Sequence, residues 1–166
     1  VVFSCVYDPL LVGSASATAA GPGFTGVSIY VDPGNVLSVA RLAFPGLKTL
    51  GIVHSGDDNV LSFVNETRRK GREMKLDVLA QQVRKDENLT PAARKLIAKG
   101  ARAFLIPVDT YYALRDYEPV KELIAIQHET KIPAVACTIG GPNDPRGAVL
   151  LLTPSYQVLG ELTARQ

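Results

Sequence analysis

Two short stretches of this chain carry side chains suited to gripping a small charged molecule: His54-Ser55-Gly56-Asp57-Asp58-Asn59 and Asp109-Thr110-Tyr111-Tyr112. Each follows an apolar run, residues 47–54 and 103–108, that reads as a buried strand, so the backbone carrying the polar groups is rigid. Tyr7-Asp8-Pro9 and Thr138-Ile139-Gly140-Gly141 hold the same place after two further apolar runs. In open parallel sheets ligands sit beyond the carboxyl ends of the strands, which makes these stretches one polar ring with aromatics in it. Asp109 is its most informative member. A carboxylate fixed at a sheet edge suits recognition of an ammonium group, because a charge-assisted hydrogen bond in a closed cleft is strong and directional. The same group is suited to capping the segment that begins at Tyr111, and one oxygen can cap while the other binds. Ser55, Gly56 and Asn59 lie where a helix begins; their hydroxyl and amides can hold a ligand carboxylate or simply cap that helix. Tyr111 and Tyr112 offer flat amphipathic faces to an apolar part of a ligand, or ordinary packing. Thr25-Gly26 brings backbone close to a ligand, or forms a plain turn.

Catalysis finds little to use. His54 and His128 are the two histidines, and His128 falls within a helical stretch, facing solvent. His54, Ser55 and Asp57 are neighbours on one strand end and point in different directions, and there is no Gly-x-Ser-x-Gly elbow. Asp57 and Asp58 with Asp109 could surround a divalent cation, as in a phosphorylatable receiver sheet, but the strand-end lysine of such a site is replaced by Cys137-Thr138. No Gly-x-Gly-x-x-Gly follows a strand, and no phosphate loop ends in Gly-Lys-Ser or Gly-Lys-Thr. The two prolines of Gly140-Gly141-Pro142-Asn143-Asp144-Pro145 lack amide hydrogens, so this segment reads as a shaped surface loop rather than a phosphate cradle.

The elements that must position the ring alternate along the chain. Residues 1–6 read as a strand from the first position, which suggests that residues before Val1 complete its sheet. A short helix is expected over 11–20, stopped by Gly21-Pro22-Gly23, then a strand over 24–31 and a helix over 36–44 capped from Asp32-Pro33-Gly34-Asn35. Strands over 47–54, 75–83, 103–108, 132–137 and 147–152 then alternate with helices over 57–71, from Thr90-Pro91 to Lys99-Gly100, over 117–130 and over 154–164. Strands apolar on both faces, separated by helices, call for α/β architecture: a parallel sheet flanked by helices, with right-handed crossovers.

The bulk numbers are permissive. The 166 residues are 46% hydrophobic, enough for one full domain or one domain with a piece of a second. Eighteen Lys and Arg against sixteen Asp and Glu give a net charge of +2, which does not argue for nucleic acid. The dense run Arg68-Arg69-Lys70-Gly71-Arg72 falls at a helix end, where cations complement the negative pole. Cys5 and Cys137 fit buried thiols, with a disulfide between distant strands as the alternative. No apolar run reaches membrane-spanning length.

Residues 2–13, Gly23-Phe24-Thr25-Gly26-Val27, 44–53 with Asn59 shortly after, 103–109, Lys131-Ile132-Pro133-Ala134-Val135, Gly147-Ala148, Tyr156 and Leu159-Gly160 together resemble the substrate-binding proteins of bacterial ABC transporters, in the group with tryptophan and tyrosine binders. The resemblance implies one lobe of a type I periplasmic-binding fold plus part of the other. Residues 1–30 correspond to a partial first-lobe segment and hinge crossing, 31–152 to the second lobe, and 153–166 to a helix returning toward the first. It implies a ligand-binding set of Asp8, Thr25, Gly26, Ser55, Gly56, Asn59, Asp109, Thr110 and Tyr111, with no catalytic residue, metal or cofactor. The implied partners are a small zwitterionic solute such as an amino acid, held in an inter-lobe cleft, and the membrane permease subunits of an importer. The implied location is the periplasm or the outer face of the cytoplasmic membrane, reached by an export leader or lipid anchor that this sequence does not include. The sequence departs from the family pattern at Val60, where Ser is usual after the Asn, and at Thr110, where Asn is common. A sensory or regulatory module that recruits a protein partner is the rival reading.

Overall fold

The computed structural model describes residues 2–15, 20–137 and 148–165. In chain order its elements are β1 (Val2–Val6), β2 (Thr25–Ser28), α1 (Pro33–Ala43), β3 (Thr49–His54), α2 (Asp58–Glu73), β4 (Asp77–Gln82), α3 (Leu89–Ala98), β5 (Ala103–Ile106), α4 (Leu114–Thr130), β6 (Ala134–Ala136), β7 (Leu150–Leu151) and α5 (Tyr156–Ala164), with 3-10 turns at Pro9–Val12 and Thr110–Ala113. They fall into two units, residues 1–31 with 154–166, and residues 32–153.

In the first unit β1 and β2 form a two-stranded parallel ribbon in which Phe3 lies opposite Gly26. A Cβ on Gly26 would stand 2.3 Å from the Phe3 carbonyl oxygen and 2.5 Å from its ring, so this glycine is required by the strand contact itself. Tyr7 and Tyr30 stack with ring centroids 5.3 Å apart, and the Ser4 and Thr163 hydroxyls share a 2.9 Å hydrogen bond that ties α5 to β1. The helix expected over 11–20 is not found as such. A proline-started 3-10 turn ends at Gly13, whose φ of 89° only glycine adopts readily, and residues 16–19 lie outside the described set.

The second unit holds a five-stranded parallel sheet in the order β4-β3-β5-β6-β7. The reversal of order falls between β3 and β5. Val53, Phe104, Ile106, Ala134 and Ala136 form one core with α3 and α4. Leu50, Ile52 and Leu105 alternate to the opposite face, beneath α1 and α2. Burial on both faces explains the unbroken apolar runs that announced these strands.

The helix ends follow local chemistry. The Asp32 side chain accepts the Gly34 amide at 2.7 Å and Pro33 takes the first helical position of α1. Helices α2 and α3 end in the same six-to-one motif: the Leu76 amide donates to the Gly71 carbonyl at 2.8 Å and the Ala101 amide to Leu96 at 3.0 Å. The left-handed position is Gly100 in α3, with φ 102°, but Lys75 in α2, with φ 56°. Helix α3 starts two residues earlier than the Thr-Pro pair suggests. Asn88 is its N-terminal flanking residue, and the Thr90 amide donates inside the helix to Glu122 Oε2 at 2.6 Å. In α4 the backbone is left-handed at Arg115, Asp116 and Tyr117, so regular helix begins close to Pro119, a residue that suits a first turn. Arg115 holds this turn by donating to the Glu87 carbonyl at 2.6 Å and to Asn88 Oδ1 at 3.0 Å.

Candidate functional site

The carboxyl edge of β3 ends in His54 and that of β5 in Ile106, and the chain beyond each returns toward the other across the reversal of strand order. Asp109 begins the 3-10 turn Thr110–Ala113 with extended backbone, which aims its carboxylate back at β3. There Oδ2 accepts the Ser55 amide at 2.7 Å, and Oδ1 accepts the Ser55 hydroxyl at 2.9 Å and the Tyr111 amide at 2.9 Å. Asp109 is 7% exposed and Ser55 is fully buried. Capping and cross-strand bridging are thus both realised: Ser55 engages both oxygens, and the Tyr111 cap shares Oδ1. Among the described residues no lysine or arginine pairs with it. A buried carboxylate held by neutral donors keeps its negative potential, and one lone-pair direction on Oδ2 remains beyond those three bonds.

The Ser55 hydroxyl also accepts the Asp57 amide at 3.2 Å, so it is used on both sides by the protein. The hydroxyl's proton is thus spent on Asp109, while the flanking Asp57 of α2 makes no side-chain cap to the amides at the helix start. Gly56 is exposed beside it, and a Cβ there would come within 2.8 Å of Gln82 Nε2. Asn59 is half-buried in the first turn of α2.

The outer part of the rim is a second, more open network. Asp57 accepts the Thr110 hydroxyl at 2.9 Å and pairs with Lys85 Nζ at 2.9 Å, and Lys85 foremost holds its carboxyl below the usual range. Lys85 escaped the sequence reading. Its signal was its place, three residues beyond the end of β4 on the same sheet edge. His54 donates from Nδ1 to the Ser55 carbonyl at 2.7 Å, and burial pushes its pKa down, partly offset by that bond and by the nearby Asp109 charge. His128 is exposed on α4.

The tyrosines require a correction. Tyr111 is fully buried and Tyr112 is 3% exposed; both belong to the core beneath α3 and α4. Their rings meet edge to face at 5.5 Å, and their hydroxyls donate to the Glu87 and Val53 carbonyls, each at 2.9 Å. Burial pushes the Tyr111 phenol up to about 12 and raises that of Tyr112 well above its ordinary value. Tyr111 therefore serves the site through its amide, not its ring. Thr110, between them and Asp109, is exposed.

In the first unit Asp8 Oδ1 accepts the Leu10 amide at 3.1 Å, Thr25 opens β2, and Gly26 lies against Phe3. The stretch 138–147, with its Thr138-Ile139-Gly140-Gly141 and Pro142–Pro145 segments, lies outside the described residues. Cys137 is a free, buried thiol.

No family model matches the chain. Solved structures do. A conserved domain protein from Vibrio cholerae is 18% identical with a TM-score of 0.80, over 99% of this chain and 54% of that one. The ABC domain in complex with L-Trp from Streptococcus pneumonia is 17% identical with a TM-score of 0.79, over 99% and 55%. The fold is periplasmic-binding-protein-like. A fatty acid ABC transporter substrate-binding protein from Thermomonospora curvata aligns less fully, at 13% identity and a TM-score of 0.60 over 90% of this chain and 39% of that one. The chain spans about half the length of the first two proteins.

Proposed function

We propose that this chain is the ligand-binding portion of a solute receptor for an ABC importer, which takes up a small zwitterion such as an amino acid without converting it. The observation that carries the proposal is the Asp109 carboxylate, buried at the strand-order reversal and surrounded by neutral donors only. A ligand ammonium arriving at Oδ2 supplies the positive charge the protein leaves out, in a place where water competes little. The ligand carboxylate then meets the start of α2 at Gly56 and Asn59, with Ser55 holding Asp109 in register and Thr110 at the rim.

The buried His54 bonds the Ser55 carbonyl rather than a hydroxyl, which supports binding without chemistry. Permease subunits are the proposed partners, and the outer face of the cytoplasmic membrane the proposed location, because import requires both.

Calorimetry with an amino-acid panel tests the reading. The best ligand is expected to lose at least about tenfold in affinity, roughly 1.4 kcal/mol, when its amine is replaced by hydrogen and, separately, in Asp109→Asn. The first comparison uses the unaltered protein, so a folding defect cannot mimic it. Equal affinity for a ligand and its desamino analogue eliminates the ammonium contact.

A further inference from the structure

The edge of the second unit's sheet opposite the candidate site is basic, and we propose that it docks the protein on an anionic lipid surface. The topology places a cation just ahead of each of four parallel strands: Lys48 before β3, Lys75 before β4, Arg102 before β5 and Lys131 before β6. Backbone bonds set several of them side by side, with the Asp77 amide on the Lys48 carbonyl at 2.8 Å and the Arg102 amide on Thr49 at 3.0 Å. Arg68, Arg72 and Lys99, at the carboxyl ends of α2 and α3, join them. None of these cations forms an ion pair among the described residues. The nearby Glu73 and Glu129 are already taken by Arg69, Lys70 and Arg94, which leaves Asp77. At the other edge of the sheet stand Asp57, Asp58, Asp86, Glu87 and Asp109, against Arg84, Lys85 and Arg115, of which Arg84 and Lys85 are ion-paired. A net charge of +2 thus conceals a unit with a basic end and an acidic end.

Cations at helix carboxyl ends complement the helix dipoles, and that accounts for some of this pattern. Two further features point outward. Arg68, Arg72 and Lys75 converge with Leu76, Asp77 and Val78 on a cavity of about 310 Å³, large enough for a phosphate-ester headgroup. Beside it the Arg41 guanidinium donates to the Met74 carbonyl at 3.0 Å, and next to Arg41 the Leu42 side chain is 78% exposed, above a second cavity lined by Ser38, Pro45 and Met74. A protruding leucine beside Arg41, on a unit whose basic edge is unpaired, matches a bilayer interface, where the apolar group enters the acyl boundary and the cations meet headgroup charge. No Phe, Tyr or Trp lines either cavity, so the stacking surface expected for single-stranded nucleic acid is not built there. Docking by this edge leaves the Asp109 rim facing away from the lipid.

The test is sedimentation with vesicles of neutral phosphatidylcholine alone or with one third phosphatidylglycerol, at low and high salt. Each cation near an anionic surface contributes about fivefold to the partition constant. The doubly substituted Arg72→Ala/Lys75→Ala protein is therefore expected to bind anionic vesicles about 25-fold more weakly, and Leu42→Ser at least about threefold more weakly. Arg84→Ala/Lys121→Ala, with the same change of net charge at the other edge, is expected to bind as the wild type does. Binding is expected to vanish on neutral vesicles and to fall steeply with salt. Equal loss in both double variants, or insensitivity to salt, overturns the proposal. So does binding of inorganic phosphate or duplex DNA, lost in the Arg72→Ala/Lys75→Ala protein, without any binding to anionic vesicles.

Discussion

Truncating Asp109 to alanine tests whether the candidate site is also the clasp that holds β3 and β5 at their carboxyl ends. The substitution removes the acceptor of three hydrogen bonds, from the Ser55 amide at 2.7 Å and from the Ser55 hydroxyl and Tyr111 amide at 2.9 Å. The hydroxyl can rotate to another acceptor, but the two amides cannot leave the buried site. Stranding a buried donor costs about 1–3 kcal/mol, so two cost about 4 kcal/mol. Removing an ionised group that lacks a cationic partner returns part of that, which leaves a net loss of about 3 kcal/mol. Urea unfolding followed by circular dichroism reads this as a drop of about 1.5 M in midpoint if the slope is about 2 kcal/mol/M. Ser55→Ala removes one of the three bonds and the 3.2 Å acceptor of the Asp57 amide, and is expected to cost about 1.5 kcal/mol. Because the two residues share their bonds, the double variant is expected to fall short of the sum by about 1 kcal/mol. A loss under about 0.5 kcal/mol for Asp109→Ala, or additivity within about 0.3 kcal/mol, refutes the clasp.

Other expectations follow from single groups. Burial foremost lowers the His54 pKa below its usual 6.5. The unfolded chain then binds a proton that the folded chain resists, so stability is full above about pH 6.5 and falls as pH drops through the lowered folded value; His54→Gln is expected to flatten the decline between pH 7 and 5 in urea titrations. Gly26→Ala drives a Cβ to 2.3 Å from the Phe3 carbonyl oxygen and is expected to cost the first unit about 2–3 kcal/mol, read from its thermal transition. Lys75→Gly relieves a left-handed residue with φ 56° and is expected to stabilise by about 0.5 kcal/mol, whereas Gly100→Ala, where nothing stands within 4 Å of the added Cβ, isolates the backbone cost at about 1 kcal/mol.

The second unit was legible because its strands are buried on both faces, and double burial writes itself as unbroken apolar runs such as 103–108. Boundaries were legible where a single residue forces them, as at Gly100; at α1 the Asp32 cap was legible, but the helix starts at Pro33 rather than at residue 36. They were not legible where a distant partner decides. Thr90-Pro91 has the local grammar of a helix start, yet Glu122 from α4 takes the Thr90 amide and the helix begins earlier. At the site, the placement of Ser55 beside Asp109 followed from the rule that strand ends converge where the order reverses. The fate of Tyr111 and Tyr112 did not, because a tyrosine after a strand reads alike whether its ring turns to solvent or, as here, donates to a carbonyl beneath a helix. Lys85 went unseen because its role depends on Asp57, a contact that no local pattern encodes.

The Cys137 thiol lies at the end of β6 with burial pushing its pKa up, so the reactive thiolate is scarce while the strand end is closed. In a Cys5→Ser background, alkylation of this one sulfur becomes a clock for local opening, read by mass alone. Anything that braces the sheet from its neighbouring edge then slows the clock, and a screen for unknown small molecules needs neither a label nor a guess at their chemistry.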